Sequence, residues 1–115
     1  MTTETTAATP SEPIHFEGDS GLPELAAEYD VVLVDFYADW CGPCKMMEPT
    51  IQTLAAETEA AVVKVDVDQF QQLAGEYGVQ GVPTLLLFAD GEPVERMVGM
   101  QTEDQLADAI DSYAV

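Results

Sequence analysis

Positive charge is the scarcest thing in this chain. Three basic residues, Lys45, Lys64 and Arg96, stand against 22 acidic ones, for a formal net charge of −19 over 115 residues. A surface of that sign repels phosphate backbones and anionic lipid, so nucleic acid and membrane partners are disfavoured. Long apolar runs are missing as well: nothing approaches the ~18 residues that a membrane-crossing helix needs. The chain has one histidine, His15, and two cysteines. A zinc site built on those cysteines needs further soft ligands, and only His15, far from them in sequence, is on offer; no metal is expected. The first dozen residues contain no Lys or Arg and no apolar centre, unlike a secretory signal. Residues 1–12 read as a flexible polar tail on a cytoplasmic protein, with one domain over 13–115.

What is present suits a single core: 47% of the residues are apolar, and a chain of this length is one domain. The acid is dispersed through caps, turns and polar helix faces rather than gathered in a tail. Self-repulsion of this size destabilises a compact state at low ionic strength. At ~1 M salt the Debye length shrinks to about 3 Å, so the composition suits a salty cytoplasm such as that of extreme halophiles.

Hydrophobic periodicity gives the order of elements. Ile14-His15-Phe16 alternates and suggests a short edge strand. Asp19 or Ser20 offers a cap for a short helix with Pro23 early and Leu22, Leu25, Ala26 and Tyr29 along one side. Val31 to Phe36 is an apolar run typical of a strand buried on both faces. The next helix has Met47, Ile51, Leu54, Ala55 and Thr58 along one side, and a kink is expected at Pro49, which cannot donate to the carbonyl of Lys45. Val62 to Asp68 alternates, with Val63, Val65 and Val67 on one face and Lys64, Asp66 and Asp68 on the other. Asp68 with Gln71 suggests a cap for a helix carrying Phe70, Leu73, Ala74 and Tyr77 and ending at Gly78. Thr84 to Phe88 is a strand, Asp90-Gly91 a hairpin turn, and Pro93 to Met100 its partner. Thr102 with Gln105 forms a capping box for a last helix that buries Leu106, Ala109, Ile110 and Tyr113. This order predicts an α/β fold: a mixed sheet, largely parallel, with an antiparallel C-terminal hairpin and helices on its faces.

The two cysteines form Cys41-Gly42-Pro43-Cys44, at the point where the buried strand hands over to the kinked helix. Sites of open α/β sheets favour the carboxyl ends of strands. A helix N-terminus favours thiolate over thiol. With Cys41 as cap residue and Pro43 lacking an N–H, the Cys44 amide is the expected donor to the Cys41 sulfur. Lys45 adds a nearby cation. Cys41 is thus expected to be the exposed nucleophile and Cys44 the resolving thiol. A purely structural disulfide would close a very short loop and remove little chain entropy. An unreactive dithiol would leave the helix-start placement unexplained. A CxxC beside a βαβ pattern reads as a redox motif.

Asp35 interrupts the buried strand. A desolvated aspartate has a raised pKa suited to proton transfer near neutrality; a solvated strand end is the plainer account. Lys64 reads by periodicity as a snorkelling lysine on a polar face. Trp40 has polar neighbours and fits a rim position beside the cysteines. His15 reads as an exposed strand residue. Trp40 to Met47 contains no acid, and Gln69 to Ala89 contains only Glu76, so these segments suit a mainly apolar docking face.

Val34-Asp35-Phe36-Tyr37-Ala38-Asp39-Trp40-Cys41-Gly42-Pro43-Cys44-Lys45 resembles the active-site segment of the thioredoxin family, and Gly81-Val82-Pro83-Thr84-Leu85 resembles its cis-proline loop. The similarity runs from about Ile14 to the C-terminus. It departs at Tyr37, where many members carry a second Trp, and in its acidity. The resemblance implies a thioredoxin fold and protein-disulfide reduction through the Cys41–Cys44 dithiol. Asp35 would accept the Cys44 proton, and Lys64 would modulate Asp35. The implied substrate groove comprises Trp40, Gly42, Pro43, Gly81, Val82, a cis Pro83, Val98, Gly99 and Met100. It also implies a thioredoxin reductase as electron donor, disulfide-containing proteins as acceptors and no bound cofactor beyond the redox-active disulfide; a monomer is expected. A disulfide oxidase or isomerase on the same fold, or a binding subunit with incidental thiols, are the other readings; Gly-Pro between the cysteines favours the reductase.

Overall fold

The computed structural model describes residues 9–18 and 20–114. The elements run β1 (Ile14–His15), α1 (Leu22–Ala26), β2 (Val31–Tyr37), α2 (Gly42–Met46), α3 (Glu48–Glu57), β3 (Ala61–Asp66), α4 (Gln71–Glu76), β4 (Thr84–Ala89), β5 (Glu92–Val98) and α5 (Glu103–Tyr113). The sheet order is β1-β3-β2-β4-β5. β3 lies parallel to both β1 and β2, whereas β4 is antiparallel to β2 and to β5. The first part of the mixed sheet is therefore parallel and the hairpin antiparallel, as expected, but the sheet is not largely parallel, because β4 also runs antiparallel to the central β2.

β2 is central because it has no face suited to water: Val31 to Phe36 are all buried. Its side chains alternate between two cores, as a strand's must. Val31 and Leu33 join Ile51, Leu54 and Ala55 of α3 and Leu106, Ala109 and Ile110 of α5. Val32, Val34 and Phe36 join Leu22 and Ala26 of α1 and Ala74 of α4 on the opposite face. Tyr77 closes that second core, its ring 6.0 Å from Phe88 and 6.2 Å from Phe36. Asp35 falls in the Val31–Leu33 row, so it points to the α3 side.

Several local expectations are corrected. Instead of one kinked helix, the chain breaks at Met47, which ends α2 and caps α3, and Pro49 lies in the first turn of α3, where its missing N–H costs nothing. α1 is capped by the backbone at Gly21 with no side-chain cap, and Asp19 lies outside the described residues, as do positions 1–8 of the expected tail. Asp68 does not cap α4: that helix starts later, at Gln71, with Phe70 as N-cap. The turn before it is held by Asp66, whose Oδ1 accepts from the amides of Asp68 (2.9 Å) and Gln69 (3.3 Å). Tyr113 is exposed rather than part of the α5 stripe.

Other signals hold. Thr102 and Gln105 form the reciprocal capping box, at 3.1 Å and 2.8 Å. Asp90 and Gly91 both take positive φ, 54° and 84°, the backbone that a two-residue hairpin turn requires. β5 is an edge strand with Pro93, two glutamates and a bulge opposite Leu87/Phe88, devices that discourage pairing with another chain.

Candidate active site

Cys41 is the N-cap of α2, with φ −85° and ψ 110°, and its Sγ accepts the Cys44 amide at 3.1 Å. This is the hydrogen bond expected from the absence of an N–H on Pro43. The two sulfurs are joined as a disulfide, with Cα atoms 5.2 Å apart. A sulfur in this position stands at the positive end of the helix, where an anion is favoured. One expectation fails: Cys41 is not the exposed partner, since Cys41 and Cys44 are 3% and 4% accessible. The cause is packing of the disulfide with Ala38 against Tyr37, Val67 and Val82.

Three separate loops meet at this point. Trp40 projects at 69% exposure, its Nε1 donating to Asp68 Oδ2 at 2.9 Å. That bond takes the carboxylate that α4 leaves unused and fixes the indole at the rim. Val82 packs on the disulfide, and the Val82–Pro83 peptide is cis. Thr84, buried, donates its hydroxyl to the carbonyl of Gly81 at 2.6 Å. Gly99, with φ +87°, donates its amide to the carbonyl of Pro83 at 2.9 Å. That bond brings Val98 and Met100, both exposed, beside the proline loop. Gly42, Pro43 and Lys45 are exposed on α2. A shallow groove of about 140 Å³ is lined by Trp40, Val67, Val79, Gln80, Gly81 and Val82. A larger hollow beside β1, about 460 Å³ and lined by Ile14 to Gly18, Ser20 and Leu25, contains neither cysteine.

The strand that leads to the disulfide carries a buried charge cluster. Asp35 is 3% exposed and Lys64 6%. They are register partners on the adjacent parallel strands β2 and β3. Lys64 is therefore not a solvated lysine; α3 covers the face that alternation marked as polar. Burial pushes the Asp35 carboxyl up to about 7, against the lowering influence of Lys64 and with a further push from Glu48. The Lys64 ammonium sits 4.3 Å from the centroid of the Tyr37 ring and makes its ion pair with Glu48 of α3. Burial first, then Asp66, Asp39, Glu48 and Asp35, raise the Tyr37 hydroxyl above its ordinary value. His15 is exposed, as its alternation predicts.

Glu48, Tyr37, Asp68 and Met46 are absent from the expected site. Met46 is 69% exposed beside the cysteines, so its apolar type alone marks it. Glu48 did carry a signal: Cys44, Glu48, Ile51 and Ala55 follow the spacing of one helix face, and the other three are buried. An acid in that stripe calls for a buried cation.

A family model described as Thioredoxin matches residues 18–112. Thioredoxin from Staphylococcus aureus is 47% identical over 88 residues, covering 75% of this chain and 85% of its own length. Among solved structures, a mutant thioredoxin from Halobacterium salinarum NRC-1 superposes with a TM-score of 0.89 at 58% identity, over 95% of this chain and 96% of that one. Schistosoma mansoni thioredoxin superposes with a TM-score of 0.81 at 33% identity, over 92% and 99%. A disulfide capped by its own helix, a sheet of this order and a match over nearly the whole described length lead to one assignment: the chain belongs to the thioredoxin family of thiol–disulfide oxidoreductases.

Proposed function

We propose that this protein is a cytoplasmic disulfide reductase of a high-salt cell, monomeric, and recharged by a thioredoxin reductase. The observation that carries the reading is the bond from the Cys44 amide to Cys41 Sγ at the start of α2, on a strand–helix unit whose buried Asp35 titrates near neutrality. The Cys41 thiolate attacks one sulfur of a substrate disulfide. The substrate S–S bond breaks, a Cys41–substrate disulfide forms, and the first substrate sulfur leaves as thiolate. Cys44 then gives its proton to Asp35 and attacks Cys41 Sγ. This restores the Cys41–Cys44 disulfide and releases the second substrate sulfur, so two electrons have passed to the substrate. The reductase returns them. Lys64 moderates Asp35 from the neighbouring strand.

Trp40, Gly42, Pro43, Gly81, Val82, Pro83, Val98, Gly99 and Met100 form the groove. An extended substrate segment would pair with the backbone of Val82 and lie on the apolar rim. Support comes from the exposure of Trp40, Val98 and Met100 and from the absence of acid in Trp40–Met47. The net charge of −19 and 58% identity to a thioredoxin of Halobacterium salinarum support the high-salt setting.

The test is the reduction potential of the Cys41–Cys44 couple, equilibrated with a dithiol buffer in molar KCl. About −270 mV, the thioredoxin value, is expected; about −180 to −120 mV would make the protein an isomerase or oxidase instead. Cys41→Ser is expected to abolish exchange, and Cys44→Ser to trap the mixed disulfide. A protein that showed no exchange at all would be a binding subunit.

A further inference from the structure

The buried lysine has two carboxylates to choose from. Lys64 is the register partner of Asp35, yet its ion pair is with Glu48, at the start of α3. Its ammonium also lies over the face of Tyr37. Glu48 is only partly covered, its side chain 39% exposed, so it reaches in from the rim to a lysine that is 6% exposed. A buried ammonium needs a counter-charge, since desolvating it alone is strongly unfavourable.

Counting charge in this cluster shows what Glu48 does. With the Glu48–Lys64 pair formed, the site is neutral when Asp35 is protonated and carries a net negative charge when Asp35 ionises. With the Glu48 charge removed, the balance reverses: an ionised Asp35 becomes the counter-charge of Lys64, and the neutral acid leaves the lysine alone. We propose that Glu48 is a positioning residue for the dithiol reaction: by engaging Lys64 it withholds that cation from Asp35 and so keeps Asp35 able to hold a proton. The direction agrees with the separate influences on Asp35, where burial and Glu48 raise its titration and Lys64 lowers it. The inference rests on the proton-accepting role given to Asp35 above and names the residue that sets it.

The groups around Asp35 are few. β2 contributes Tyr37, and β3 contributes Lys64 and, farther along, Asp66, whose Oδ1 is held by two amides. His15 of β1 is in register with Lys64 but exposed. α2 is capped by Cys41 and carries Cys44, and these disulfide-bonded cysteines do not titrate in this state. Asp39 lies exposed between β2 and α2. β4 opposes Asp35 with Leu85, and α5 packs on this face with Leu106, Ala109 and Ile110, all apolar. Glu48 is the carboxylate that reaches Lys64.

The experiment follows the Asp35 carboxyl by carbon NMR through a pH titration of the oxidised protein in molar KCl. Using the disulfide form removes thiol titration from the curve. Glu48→Gln, nearly isosteric, is expected to lower the Asp35 titration by about one pH unit, the size of effect an opposite charge has when it becomes available. Lys64→Met is expected to raise it. In the Lys64→Met background, Glu48→Gln is expected to move it by less than half as much, because only direct repulsion between the two carboxylates is left. If Glu48→Gln leaves Asp35 unmoved while only lowering stability, Glu48 is a helix-start acid and the proposal is overturned. Equal shifts in both backgrounds overturn the route through Lys64. The pH profile of disulfide reduction by the same variants separates the two ideas. An NMR shift that the profile follows supports both. An NMR shift without any change in the profile supports the control by Glu48 and overturns the role of Asp35.

Discussion

A carboxylate sealed within a central strand destabilises the fold whenever it is ionised. Asp35, 3% exposed, titrates at about 7 against an ordinary 3.8, mainly through desolvation. The folded state therefore holds its proton more tightly than the unfolded chain. The associated stability is fully present below the unfolded value and is lost as pH rises through about 7. At about 1.4 kcal/mol per pH unit, the ionised form costs the fold on the order of 4 kcal/mol. Asp35→Asn is accordingly expected to stabilise the oxidised protein by about 2–4 kcal/mol at pH 8 and to lose that advantage by pH 4. Denaturant melts of both proteins at the two pH values check the sign. The same substitution is expected to slow disulfide reduction, the exchange of stability for function that buried functional groups show. Cys41, Asp35 and Trp40 were legible in the sequence because each breaks its local pattern. Glu48 carried only the weaker signal of its spacing with Cys44, Ile51 and Ala55, because an acid before a helix proline otherwise looks like an ordinary first-turn residue.

Among the elements, the boundary between α2 and α3 matters most to the site. α2 is one short turn whose role is to present its amide end to sulfur: Cys41 caps it and Cys44 donates. The break at Met47 lets α3 turn down onto β2 and β3, carrying Glu48 to Lys64. α5 serves the scaffold rather than the chemistry, and its start depends on Thr102 and Gln105. Thr102→Ala removes one half of that box and is expected to cost about 1 kcal/mol, measured by urea melts, with the exchange rate at 25 °C unchanged. Strand and helix order was readable from periodicity because each period reports a face. The starts of α1 and α4 were not, because backbone groups and neighbouring turns took the places for which Ser20 and Asp68 have the right chemistry. Asp68 instead accepts from Trp40, a partner 28 residues away, beyond the reach of any local rule.

For the whole molecule the governing quantity is charge. Of the three basic side chains, Lys64 is buried in its ion pair, Arg96 donates to the carbonyl of Tyr77 at the end of α4, and Lys45 is exposed beside the cysteines. The acidic surface is thus almost uncompensated, and salt must do the screening. The melting temperature is expected to rise from low to molar KCl, by about 4–8 °C for each kcal/mol of repulsion relieved. Calorimetry across a KCl series measures it, and a flat series would remove the high-salt reading.

The amino-acid sequence by itself determined the element order, the mixed sheet, the redox pair and the amide that caps its sulfur. These depend on periodicity, on proline's missing N–H and on neighbours within a helical turn. Only the tertiary structure decided that Cys41 lies as deep as Cys44, that the polar-looking edge of β3 is covered, and that Lys64 answers to Glu48 rather than to Asp35 alone. Those outcomes come from α3 and the Val82 loop folding over the sheet. Alternation tells which side of a strand a residue occupies, but not what another part of the chain will lay against it.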